Sequence, residues 1–306
     1  MLIMVDENLD NQRLDIFLAQ LYGKISRSKI QNAVKAGKVL VNNEIKKPSY
    51  ILKEGDSIEF ENLISEKVLK IEPENIPIEI VWEDENMAVV NKPSGMLTHP
   101  TTIESSGTLV NALLYKYGQD LSDLNGEFRR GIVHRLDRNT SGLLMIAKNN
   151  KTHEYLANLI KNHDLTKKYR AILKGVYPLD NDIINEPIAR HKTQPHKMMV
   201  YHEGGGKQSI TMLKVLERFE DATYVELTLV TGRTHQIRVH TSYKKHPVYN
   251  DTLYGAGQGK VKTDEQVLQS FYLKFAKPFS SQIIELEIDP DEKLSKVLSY
   301  FKNGRV

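Results

Sequence analysis

The hydrophobic period changes along the chain, and this change limits the folds that are open to it. Near the N-terminus, apolar residues recur at the i, i+3, i+4, i+7 spacing of one helix face, at Leu14, Phe17, Leu18 and Leu21. A second helix is predicted over residues 26–37, where Ser26 or Ser28 caps the start and Gly37 ends it. Beyond residue 78 the apolar residues form short runs and alternations, which are typical of strands.

The strand pattern is clearest in residues 78–92, residues 167–173 and residues 224–240. In the third of these segments a strand leads through Gly232 into a helix. Between the two patterns, residues 61–77 are acidic and contain two prolines, as a linker or an entry strand does. We therefore predict an α+β chain with a small domain over residues 1–65 and a strand-rich domain over residues 66–306. The sheet of the second domain is expected to be mixed or antiparallel.

Positive charge is concentrated in one segment. The formal net charge of the chain is only +3, yet residues 24–47 hold seven basic residues against the single acid Glu44, a net charge of +6. Such a concentration is expected where a protein binds phosphates, although a solvated lysine-rich face has the same composition. The basic residues are Lys24, Arg27, Lys29, Lys35, Lys38, Lys46 and Lys47.

Several kinds of site are excluded by what the chain lacks. It has no cysteine, which rules out disulfides, thiolate nucleophiles and cysteine-ligated metal centres. The segments EGGGK and GAGQGK lack the spacing of a phosphate-binding loop, and no serine lies in a GxSxG elbow. His235 and His240 lie about 140° apart on a helix, which favours packing or backbone contacts over a metal site. With neither a signal peptide nor a membrane span in the sequence, we expect a cytoplasmic protein.

Three segments near the N-terminus occur in a familiar order. They are RLD at 13–15, SRSKIQNAVKAGKVLVNN at 26–43 and LKEGDSIEF at 52–60. Together they resemble the S4 RNA-binding domain. The resemblance implies that the basic second helix binds structured RNA, through Arg27, Lys29, Lys35 and Lys38.

An acid stands between two arginines in residues 131–150, GIVHRLDRNTSGLLMIAKNN. The apolar runs 131–133 and 143–147 are typical of adjacent buried strands, and residues 139–142 have the chemistry of a turn. Asp137 is therefore expected at the rim of a sheet, where a loop can present a side chain to a cleft. From these residues alone, Asp137 either serves a site in that cleft or only caps the turn or pairs with Arg135.

Five longer segments resemble the motifs of the RluA/RluD family of RNA pseudouridine synthases, in that family's order. They are VVNKPSGMLTHP, HRLDRNTSGLLMIAK, KKYRAILKG, TGRTHQIRVH and YNDTLYG. The resemblance implies an enzyme that breaks the N1–C1′ bond of a uridine, turns the uracil and joins C5 to C1′. Because this isomerisation involves neither hydrolysis nor redox chemistry, we expect no cofactor and no metal.

The resemblance also assigns roles to individual residues. Asp137 corresponds to the catalytic aspartate, and Arg233 to the arginine whose opposite charge favours the ionised carboxylate. Tyr169 corresponds to the tyrosine that packs on the target base, with proton transfer by its hydroxyl as the weaker of two roles. Arg135 is expected to fill the gap left by the flipped uridine, although a second ion pair with Asp137 stays open.

We expect the substrate to be large-subunit (23S) ribosomal RNA, or a pre-ribosomal particle that contains it. A synthase that acts on tRNA remains an alternative, as does a ribosome-assembly or RNA-folding factor whose pocket only binds. RNA is the expected partner, no membrane is involved, and the chain is expected to act as a monomer.

Overall fold

The structure is a computed structural model that describes residues 2–7, 9–22, 27–60, 71–101, 103–194 and 196–304. The chain divides into two compact units, Met1–Lys70 and Ile71–Val306. The domain boundary predicted between residues 65 and 66 lies outside the described residues, as does the predicted helix cap Ser26.

The first unit packs two helices on a small sheet. Its elements are β1 (Leu2–Met4), α1 (Leu14–Tyr22), α2 (Arg27–Lys35), β2 (Val39–Val41) and β3 (Ser57–Phe60). The sheet is antiparallel in the order β1-β3-β2, and β1 was not predicted from the sequence. The core contains Leu14 and Leu18 from α1, as predicted, and Ile30 and Val34 from α2, whereas Leu21, predicted on the same face of α1, is exposed. This packing leaves Lys29 and Lys35 of α2 exposed to the solvent.

The second unit is built on a nine-stranded sheet in the order β4-β5-β6-β13-β7-β12-β11-β8, with β14 paired to β13. Among the described strands, only β6 and β13 pair in parallel, which confirms the predicted mixed sheet. The strands are β4 (Glu79–Glu83), β5 (Met87–Lys92), β6 (Ser141–Ala147), β7 (Thr166–Lys174), β8 (Asn181–Asn185), β9 (Ile188–Arg190), β10 (Met198–Val200), β11 (Ile210–Arg218), β12 (Ala222–Leu229), β13 (Leu268–Ala276) and β14 (Ile283–Glu287). The helices are α3 (Leu109–Tyr117), α4 (Asn150–Asn162), α5 (Gln236–Tyr243) and α6 (Glu292–Asn303), with a short 3-10 helix at Glu127–Arg129.

Both faces of the sheet around β5 and β6 are covered. Ala88 and Val90 of β5 pack in one core with Leu113 of α3, whereas Val89 packs in a second core with Leu156 of α4. The alternation follows from the pleat of a strand, which sends successive side chains to opposite faces. All of β6 is buried. The loop that enters β6 is therefore anchored to a rigid support.

Two local predictions differ from the structure. Residues 131–133 do not form a strand, because Gly131 has a φ of 72° and only Ile132 bridges to Ile146 of β6. A left-handed residue interrupts the extended backbone that a ladder needs. The sequence QPHKMMVYHEGGGKQS of residues 194–209 predicts an exposed basic loop, but the segment contains β10, which pairs with β9 in a separate two-stranded sheet.

Candidate active site

The loop 136–139, which carries Asp137, is held by three side chains that donate hydrogen bonds to its backbone carbonyls. Thr98 Oγ1 donates to Leu136 O at 2.8 Å. The buried Nζ of Lys92, at the end of β5, donates to Arg138 O at 3.0 Å. Lys293 Nζ of α6 donates to Asn139 O at 2.7 Å. Because these bonds hold carbonyl groups on both sides of Asp137, the direction of its side chain is set by the fold.

Asp137 is bound by an arginine from α5. Arg238 Nη1 donates to Asp137 Oδ2 at 3.1 Å, and the same guanidinium binds Asp251 through Nε at 2.6 Å and Nη2 at 2.9 Å. Asp251 is fully buried, and the Arg238 side chain is only 7% exposed. Burial alone would lower the pKa of Arg238, but the hydrogen bonds and charges of the two carboxylates raise it. The guanidinium therefore stays charged and orients Asp137.

The ion pair predicted between Arg233 and Asp137 is not the one that the structure forms. Among the described residues, the cation bound to Asp137 is Arg238, whereas the exposed Arg233 donates Nε to Gln208 O at 3.2 Å. The two arginines lie five positions apart in one motif, but only Arg238 lies within α5. The sequence does hold a signal for Arg238. Arg238 is flanked in the sequence by the apolar Ile237 and Val239, and an arginine that is buried needs carboxylate partners.

His235 approaches the other oxygen of the carboxylate. Its Nε2 lies 3.8 Å from Asp137 Oδ1, and its Nδ1 lies 2.9 Å from the hydroxyl of Tyr254. That hydroxyl accepts a hydrogen bond from Met198 N at 2.9 Å, so its own proton is directed to Nδ1. Burial lowers the pKa of His235, which leaves a neutral ring with Nε2–H facing Asp137. His235 does more than the packing role predicted for it, whereas His240 binds only Thr211 Oγ1 and Glu186 O.

Tyr169 reaches the same cavity from β7. It is buried and pairs across the ladder with Ser270 of β13, whose side chain its hydroxyl contacts. Burial, opposed by that contact and reinforced by the charge of Asp137, raises the pKa of Tyr169 to about 12. The hydroxyl therefore stays protonated at neutral pH. A protonated, confined phenol suits the predicted packing role better than that of a base.

Arg135 lies beside His99. Its Nη1 is 3.1 Å from His99 Nε2, and His99 Nδ1 is 3.0 Å from Pro100 O. The second contact requires Nδ1 to carry the proton, so Nε2 accepts the bond from Arg135. Among the described residues, Arg135 forms no ion pair with Asp137. Its exposed guanidinium is held at the edge of the cavity instead.

Asp137, Tyr169, Arg135 and Arg233 line a single cavity of about 520 Å³, together with Arg238, His235 and Lys167. The charged residues that line it are basic except for Asp137, which is the only carboxylate among them. The cavity is of the size that small ligands occupy. Within the part of the chain that the structure describes, no cluster of His, Asp or Glu has the geometry of a metal site.

The other predicted RNA-binding residues lie in the first unit. Lys29 and Lys35 are exposed on α2, and Lys38 is exposed just after it. Arg27 begins α2, but its side chain lies outside the described residues. None of the helices described is both long and apolar enough to cross a membrane.

Comparison with known proteins decides the family. Residues 86–243 match the family model described as RNA pseudouridylate synthase, and residues 12–58 match that of the S4 domain. The chain belongs to the RNA pseudouridylate synthase family. The uncharacterised RNA pseudouridine synthase YlyB of Bacillus subtilis is 39% identical over 99% of this chain and 98% of its own length. The enzyme is accordingly an isomerase with an N-terminal S4 domain.

Two further relatives extend the comparison. Ribosomal large subunit pseudouridine synthase D of Escherichia coli is 36% identical, over 92% of this chain and 88% of that protein. The solved structure of human RNA Pseudouridylate Synthase Domain Containing 1 aligns with a TM-score of 0.56 at 25% identity. That alignment covers 79% of this chain and 99% of the human one. The strand-rich unit therefore has the fold expected from the sequence.

Proposed function

We propose that the enzyme converts specific uridines of large-subunit ribosomal RNA to pseudouridine, with Asp137 as the catalytic carboxylate. The observation that carries the proposal is how the Asp137 carboxylate is held in the cavity. Oδ2 is bound to the buried Arg238, Oδ1 lies 3.8 Å from His235 Nε2, and Asp137 lines the same cavity as Tyr169. Relatives named ribosomal large subunit pseudouridine synthase D support the choice of RNA.

The proposed chemistry uses groups that the cavity already holds. The Asp137 carboxylate stabilises C1′ or attacks it as the N1–C1′ bond breaks. Tyr169 limits the motion of the released uracil, so that C5 comes to face C1′ and the new carbon–carbon bond forms. If Asp137 has bonded to C1′, that carbon–oxygen bond breaks as the C5–C1′ bond forms. The proton lost from C5 is balanced by the proton gained at N1. The reaction thus needs neither water as a reactant nor an oxidant.

Arg135 is proposed to act before the chemistry. Flipping a uridine out of a folded RNA costs a few kcal/mol and leaves a gap in the stack. A planar guanidinium fills such a gap and contacts phosphate at the same time. Arg135 is exposed and held by one neutral histidine, so it leaves its resting contact at low cost.

Pseudouridine mapping of total RNA tests the function. RNA from cells with and without the gene is treated with carbodiimide and read by primer extension. We expect at least one primer-extension stop in large-subunit ribosomal RNA to be lost in cells without the gene. The stop should return when the parent gene is reintroduced, but not when the gene for Asp137→Asn is. That substitution keeps the shape of the side chain and removes its charge, so RNA binding should persist.

Three other outcomes would contradict the proposal. Lost stops confined to tRNA would mean that the substrate is tRNA. An unchanged map would favour a factor that only binds RNA. Full restoration by Asp137→Asn would show that the catalytic carboxylate is a different one.

A further inference from the structure

Lys167 is a buried cation in the cavity that the proposed chemistry does not use. It lies on β7 two residues before Tyr169, and since side chains alternate along a strand, both project from the same face. Lys167 is 9% exposed and lines the same cavity as Asp137 and Tyr169. Lys168, on the opposite face, forms an ion pair with Glu226 at 3.0 Å.

No described residue gives Lys167 a counter-ion or a hydrogen-bond acceptor for its ammonium. The one carboxylate that lines the cavity, Asp137, is bound to Arg238. His134 lies near Lys167, but its Nε2 accepts from Met145 N at 3.0 Å, and its ring is neutral. Burial lowers the pKa of Lys167 to about 8. An ammonium held on a mostly buried side chain without a counter-ion is costly, and a ligand anion that enters the cavity would lower that cost.

The position of the ammonium indicates which part of an RNA it meets. A Cβ placed on Gly232 would lie 3.7 Å from Lys167 Nζ, so the ammonium sits beside this glycine. Gly232 and the adjacent Arg233 are exposed, which places Nζ next to the open side of the cavity. A bound nucleotide keeps its phosphates towards solvent and its base in the interior. Arg233 offers a second cation at the same edge.

We propose that Lys167 binds a backbone phosphate of the RNA whose uridine enters the cavity, and that this contact places the nucleotide over Asp137. The inference rests on the proposed function only in taking RNA as the ligand. The ammonium supplies the charge-assisted hydrogen bonds that a phosphate oxygen accepts. Without the phosphate, Lys167 is held unpaired in the cavity.

Equilibrium binding of an unmodified transcript of large-subunit ribosomal RNA tests the contact. All variants carry Asp137→Asn, so binding is measured without turnover. We expect Lys167→Met to weaken binding about ten- to a hundredfold, the range for one charged hydrogen-bonding contact. The slope of log affinity against log salt should fall by about 0.7 to 0.9. Lys167→Arg should restore most of the affinity and most of the salt slope. The control Lys168→Met should bind like the parent.

The pH dependence gives a second measurement on the folded parent. Phosphate favours the charged lysine, so the pKa of Lys167 in the complex lies above the value of about 8 in the free protein. RNA affinity is then full below pH 8 and falls as the pH rises above it, because binding must recover a proton. This fall should be absent in Lys167→Arg, whose guanidinium stays charged.

Two results would overturn the phosphate contact. In one, Lys167→Met binds the transcript as tightly as the parent with an unchanged salt slope. In the other, the single-turnover rate of an Asp137-containing Lys167→Met variant falls while binding is unchanged, which would assign the ammonium to the uracil. Failure of the proposed function is distinguishable, because the enzyme with Asp137 intact, alone or with Lys168→Met, would then form no pseudouridine in the same transcript.

Discussion

At the scale of single residues, the site depends on Arg238. Its guanidinium joins two carboxylates, one buried and one facing the cavity, so it contributes to stability and to orientation together. A buried charge that loses its partner is costly, whereas replacing the whole pair by neutral groups is often tolerated. This difference allows the two contributions of Arg238 to be separated by experiment.

We expect Arg238→Met to abolish pseudouridine formation and to lower the free energy of unfolding by about 3–5 kcal/mol, because Asp251 is left buried and unpaired. The double variant Arg238→Met/Asp251→Leu should recover much of that stability in urea unfolding and remain inactive, since Asp137 still lacks its guanidinium. Recovery of activity together with stability would mean that Arg238 serves the fold alone.

The matched control is Arg233→Ala. Arg233 is exposed and binds a backbone carbonyl, so its loss should weaken RNA binding and leave the single-turnover rate at saturating RNA near that of the parent. A large loss of that rate would return Arg233 to the catalytic role predicted from the sequence.

At the scale of elements, the distance between the Asp137 loop and Tyr169 is set by the pairing of three adjacent strands. Gly142 of β6 pairs with Ser270 of β13, and Ser270 pairs with Tyr169 of β7. The register of β13 shifts between Ser270 and Tyr272, directly beside this line. Such bulges re-aim side chains next to active sites. The arrangement requires β6 and β13 to approach closely at Gly142.

Replacing Gly142 should therefore damage the whole sheet. A Cβ at this position would lie 2.0 Å from Ser270 O, and the residue has a φ of 115°. We expect Gly142→Ala to lower the free energy of unfolding by more than about 3 kcal/mol. Gly204→Ala is the control, because its φ is 91° and its Cβ meets nothing within 4 Å. Gly204→Ala should lower the free energy of unfolding by only about 1–2 kcal/mol. Equal losses would show that backbone strain, rather than the close approach, dominates at Gly142.

At the scale of the whole molecule, we propose that the first unit binds the RNA and that the second unit carries out the isomerisation. Each lysine that neutralises a phosphate releases counterions and steepens the salt dependence of binding. The triple variant Lys29→Gln/Lys35→Gln/Lys38→Gln should thus reduce the salt slope by about 2 to 3. Its single-turnover rate at saturating RNA should match the parent, because these lysines lie outside the cavity.

The control removes three lysines of the second unit that form ion pairs with acids. Lys260, Lys274 and Lys302 bind Asp221, Glu285 and Glu217, respectively. Their joint replacement by glutamine changes the net charge equally and should leave the slope nearly unchanged. If both triple variants alter the slope alike, the basic face of α2 is only a solvated surface.

The sequence by itself determined several of the helices and strands, and the loop before β6 that carries Asp137. Helices α1 and α2, strands β4, β5 and β7, and the strand-to-helix step through Gly232 follow from local periodicity and turn residues, which act over a few positions. Only the tertiary structure decided which residue forms an ion pair with Asp137. Asp137 and Arg238 lie 101 residues apart. Their ion pair exists because the sheet register and the phase of α5 bring them together, and electrostatic attraction depends on distance in space rather than along the chain.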